Sequence, residues 1–81
     1  MPSMIDQHLS AKIVEARENL GLSISDVAGA IGLSAVALTE IESGKVRISA
    51  FSIAQLSRAL NVSPRWFYFG LPGQDAFDQV V

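Results

Sequence analysis

Apolar residues recur at three- and four-residue intervals along most of this chain, and a small polar residue opens each run. Leu9, Ile13, Ala16 and Leu20 form the first stripe and predict a helix over roughly 7–20. Asp6 is the expected N-cap, residues 1–5 the expected frayed leader, and Gly21 suits the left-handed position after the helix. Ser23 opens a second run in which Val27, Ala28 and Ile31 face inward, and Gly32 makes the turn after it. Gly29 inside that helix costs about 1 kcal/mol relative to Ala. It reads as an exposed position that tolerates a poor helix former. Ser34 opens a third helix, roughly 35–43, with Leu38 and Ile41 as its buried stripe and Gly44 as its stop.

A loop, Lys45-Val46-Arg47-Ile48, follows. Ser49 then caps a fourth helix over roughly 50–60, with Phe51, Ile53, Leu56, Ala59 and Leu60 as its apolar set and Asn61 at its end. Ser63-Pro64 is an N-cap followed by proline at the first helical position, which predicts a short fifth helix over roughly 64–69. Trp66, Phe67, Tyr68 and Phe69 are consecutive, so they point all round that helix and cannot share one core. The expected fold is therefore all-α: a compact five-helix bundle. Within it, Ser23–Gly44 has the layout of a helix-turn-helix.

Composition narrows the function. An 81-residue chain is one domain, and a core of this size buries only a modest share of its surface. Hydrophobic residues make up 49% of it and the mean hydropathy is +0.35, so some apolar surface should be left for a second copy. A homodimer is expected. With no cysteine there is no disulfide or thiolate site, which suits a reducing cytoplasmic setting. The opening MPSMIDQHLS lacks the basic and apolar regions of a signal peptide, and no apolar run is long enough to cross a membrane. His8 is the one histidine and is expected on a helix surface, not on a metal. Glu15, Glu18 and Asp26 have no nucleophile or base beside them in the pattern. No catalytic residue, metal or cofactor is therefore expected.

Arg17, Gly21-Leu22-Ser23, Val27-Ala28, Gly32-Leu33-Ser34, Ile41-Glu42-Ser43-Gly44-Lys45 and Ala59-Leu60-Asn61-Val62-Ser63 occur in one order and spacing. In these residues the chain resembles the phage repressor/Cro-type helix-turn-helix proteins, the XRE family, over roughly residues 10–70. The resemblance implies a lambda-repressor-like DNA-binding domain at 10–70. Residues 1–9 are then a leader and the start of the first helix, and residues 71–81 a tail that contributes to a dimer interface.

It further implies a structural ion pair between Arg17 and Glu42. Phosphate contacts fall to Ser25, Ser43, Lys45 and Arg47, and base readout to Ser34, Ala35, Val36, Ala37, Thr39 and Glu40 on the third helix. Tyr68, Phe69 and Phe77 become the candidate dimer interface, because aromatics concentrate at the centres of interfaces. The implied function is a dimeric, sequence-specific transcriptional regulator, in the sense of a repressor, on a two-fold operator in double-stranded DNA.

Two features pull the other way. The net charge is −2 and the pI about 5.1, whereas small nucleic-acid binders are usually basic. The third helix also lacks the Arg, Lys, Asn or Gln that makes bidentate base contacts. An alternative thus stands beside the regulator: the same fold used as a protein-interaction module, as a co-regulator, anti-regulator or antitoxin, with a protein partner and weak base readout.

Overall fold

The computed structural model describes residues 3–71. Four α-helices follow in order: α1 (Met4–Asn19), α2 (Ile24–Ala30), α3 (Ala35–Glu42) and α4 (Ala50–Leu60). The fifth element, Pro64–Tyr68, is a 3-10 helix and not the α-helix the pattern predicts. A five-residue segment that begins with proline has too few i→i−4 partners to nucleate an α-helix, and short runs settle for the tighter bonding. No strand is present among the described residues.

Serine caps organise the chain. Ser23, Ser34, Ser49 and Ser63 each accept a hydrogen bond from the backbone N–H three residues on. At α2 the box is reciprocal, because the Asp26 carboxylate accepts from Ser23 N–H at 3.1 Å. The start of α1 differs from expectation. Ser3, not Asp6, is the N-cap, and Asp6 stands three residues into the same kind of box. The helix therefore begins at Met4, inside the stretch expected to fray. Asn61 takes the left-handed conformation after α4 (φ 57°), and Gly32 takes it between α2 and α3 (φ 74°). The α2 and α3 axes bend by 107° across that turn, within the usual helix-turn-helix range.

One core joins all five elements. It contains Leu9, Ile13 and Ala16 of α1, Val27 and Ala28 of α2, Ile31, Leu38 of α3, Ile53, Leu56 and Leu60 of α4, and Phe67. Phe67 is the largest side chain that is fully buried. Trp66 meets it edge-on, with ring centroids 5.3 Å apart, and Lys12 of α1 lies 4.4 Å over the Trp66 ring. The 3-10 helix thereby closes the bundle against α1.

Two apolar positions miss the core. Leu20 is the C-cap of α1, just past its last helical residue, and is half exposed. Phe51 lies in the first turn of α4 and is 70% exposed. Ile53, Leu56 and Leu60 occupy the inward face, and Phe51 falls outside that arc. Among the described residues no single helix is long and apolar enough to cross a membrane.

Candidate nucleic-acid interface

The segment from Ser34 to Arg47 carries most of the candidate contact residues, and α1 holds it from beneath at three points. The Ser10 hydroxyl lies 2.6 Å from the Ile41 carbonyl at the end of α3. Arg17 grips Glu42 in a two-pronged pair, Nε to Oε2 at 2.8 Å and Nη2 to Oε1 at 3.0 Å. Asp6 Oδ1 accepts from the Ile48 N–H at 2.9 Å, where the loop runs into α4. The stretch Ser43–Arg47 is thus pinned immediately before and immediately after.

Arg17 does more than bind Glu42. Its Nη1 donates to the Leu22 carbonyl at 3.0 Å, just ahead of the α2 cap. One guanidinium therefore ties the start of α2 to the end of α3. Both side chains are largely covered, with 14% of Arg17 and 8% of Glu42 accessible. The Glu42 hydrogen bonds favour the charged guanidinium and raise the Arg17 pKa above its already high ordinary value. This ion pair stands behind the surface and leaves neither partner free for a ligand.

Asp6 is the residue whose role the sequence pattern misplaces. Its carboxylate accepts from the Ser3 N–H and hydroxyl as well as from Ile48. The Ser3 and Ile48 N–H bonds hold its pKa below the ordinary aspartate value, with a smaller contribution from the Arg47 charge. One buried carboxylate joins the cap of α1 to the far end of the basic loop. Gly44 lets the loop turn, with φ +77°, and a side chain there would lie against Gln7.

On α3 the outward residues are Ala35, Val36, Thr39 and Glu40, with Ala37 half-buried. Val36 is 70% exposed. The hydroxyls are mostly engaged already. Thr39 donates to the Ala35 carbonyl at 2.8 Å. Ser43 donates to the Glu40 carbonyl at 2.6 Å and accepts from the Lys45 N–H at 3.3 Å, so it shapes the turn. Ser34 accepts from Ala37 N–H as the cap and keeps its own proton. Lys45 and Arg47 are exposed.

Ser25 is exposed at the start of α2, but the Asp26 carboxylate occupies that helix end. The hydrogen bonds from Ser23 lower the Asp26 pKa, so the charge is present at neutral pH and opposes an anion there. Tyr68 is half-buried against the core and Phe69 is 49% exposed, while Phe77 lies outside the described residues. His8 is partly buried, not on the open surface, and its Nε2 is enclosed without a hydrogen-bond partner. No group of three or more metal-binding side chains occurs among the described residues.

Residues 13–67 match the helix-turn-helix family HTH_3. The chain belongs to this family. The match takes in α2, the turn and α3, together with Arg17, Glu42 and the basic loop. An uncharacterized HTH-type transcriptional regulator of Sinorhizobium fredii is 31% identical over 67 residues, covering 83% of this chain and 47% of its own length. The chain thus spans about half the length of the curated relatives it matches. The restriction-modification controller protein C.AhdI of Aeromonas hydrophila is 27% identical, with a TM-score of 0.72, covering 76% of this chain and 94% of that one. A second controller, C.Esp1396I, solved as a tetramer with its natural 35 base-pair operator, shares the fold at 23% identity and a TM-score of 0.74. That alignment covers 82% of this chain and 87% of the controller.

Proposed function

We propose that this helix-turn-helix domain is a dimeric, sequence-specific DNA-binding transcriptional regulator acting as a repressor, with α3 in the major groove. The observation that carries the proposal is the pinned segment Ser43–Arg47. Three contacts from α1 hold a loop with two exposed cations directly after a solvent-facing α3. Exposed cations on a held loop beside an exposed helix suit a surface that meets a phosphate backbone while the helix meets base edges. The operator complex of C.Esp1396I supports the same use of the fold.

Lys45 and Arg47 are the phosphate anchors in this proposal. Ser43 keeps their loop in shape, and Ser25 is a minor contact beside Asp26. Ser34, Ala35, Val36, Ala37, Thr39 and Glu40 face the bases. Tyr68 and Phe69 contribute to the dimer interface; Phe77 and the rest of the expected tail contact lie outside the described residues. Residues 10–70 form the DNA-binding unit.

Two cations per protomer make about four phosphate contacts per dimer, and the slope of log K against log salt should then be near −3.6. Gel-shift titrations across salt test this. Lys45→Ala with Arg47→Ala should abolish the complex while the protein remains a folded dimer. Unchanged binding by that double variant would refute the anchoring.

One observation favours a protein-interaction module instead: Val36, apolar and 70% exposed, in the first turn of α3. That function predicts that Val36→Asp destroys a protein complex, and that the loop cations are dispensable.

A further inference from the structure

Val36 and Glu40 are four residues apart, so their side chains lie one above the other on the same face of α3. Both are exposed. Beside them on the exposed side of α3, Thr39 donates back to the Ala35 carbonyl, and at the end of the helix Ser43 donates to the Glu40 carbonyl. The centre of the helix therefore offers no side-chain hydrogen-bond donor. Its one free donor is the Ser34 hydroxyl at the cap. What remains is a branched apolar group and a carboxylate acceptor.

Base edges in the major groove differ in what they need. Guanine shows two acceptors, N7 and O6, and calls for a donor. Cytosine shows the N4 amino donor, and thymine shows its methyl group. A carboxylate facing guanine meets acceptor with acceptor and is repelled. The same carboxylate facing the cytosine amino group accepts a hydrogen bond. An isopropyl group facing thymine covers a methyl that water would otherwise surround.

We propose that α3 reads pyrimidine edges: Val36 packs on a thymine methyl, and Glu40 accepts from the N4 amino group of a cytosine. This rests on the DNA-binding function proposed above and assigns its specificity to two residues. Discrimination against guanine comes from the missing donors as much as from the contacts made.

The test starts from the duplex sequence the purified protein selects from a random pool at fixed salt. Each thymine in the half-site is then replaced singly by deoxyuridine, which removes one methyl. One position should weaken binding about four-fold. That penalty should vanish in Val36→Ala, a substitution at an exposed site that leaves the fold alone. Glu40→Gln, which gains an amide donor, should shift the selected base at one position from cytosine to adenine. Circular dichroism on each variant confirms the fold. A selected site in which no thymine methyl matters, or the same bases selected by Glu40→Gln, would overturn the pyrimidine assignment and leave DNA binding standing. Failure of the folded wild-type protein to select any sequence would overturn both.

Discussion

At the scale of single residues, three side chains of α1, Asp6, Ser10 and Arg17, hold the candidate interface together, and two of them are charged. Removing Glu42 leaves the Arg17 guanidinium covered and unpaired, so Glu42→Ala should lower stability by about 3 kcal/mol in denaturant melts. Asp6 contributes through its charge. Its pKa lies below the ordinary value in the folded state, so its contribution is complete at neutral pH and lost as pH falls through the lowered value. Asp6→Asn should therefore be less stable than the parent at pH 7, and the gap should close in acid; a gap that persists there would rule out the charge as its cause. The local half of the Asp6 role was open to view, since Ser3-x-x-Asp6 repeats the Ser23-x-x-Asp26 spacing. Its bond to Ile48 spans 42 residues and depends on how α1 packs, which periodicity does not report.

The elements themselves follow closely from short-range chemistry. Serine caps, left-handed Gly or Asn stops and three-to-four spacing lie within a few residues of one another, so α2, the turn, α3 and α4 are legible in the sequence. The pattern misplaces Phe51 in the α4 stripe: two residues before Ile53, it falls on the opposite side of α4 from Ile53, Leu56 and Leu60. The 3-10 helix was not legible, because cap and proline mark where a helix starts and not how tightly it winds. Gly29 offers a clean check on α2. It is exposed, its φ is not in the left-handed range and a Cβ there would meet nothing within 4 Å. Gly29→Ala should raise stability by roughly 0.5–1 kcal/mol without changing DNA affinity. A loss of stability would mean that α2 is held in a conformation only glycine allows.

For the whole molecule, family and fold agree with the resemblance drawn from the sequence. The acidic balance reflects the chain's total charge, whereas two of its six cations sit in the pinned loop. Local charge is what a phosphate meets within a Debye length of about 8–10 Å. Phe69 and Phe51 leave apolar surface on the protomer, which suits pairing. Sedimentation should find a dimer, and Phe69→Ser should shift it toward monomer if this end of the fold forms the contact.

If the α3 face and the loop that follows it select DNA, purified protein offered random duplexes at a stated salt concentration should enrich specific sites. The expected result is an enriched two-fold motif with half-site centres about 10–10.5 base pairs apart. No enrichment from folded, dimeric protein at low salt would contradict it.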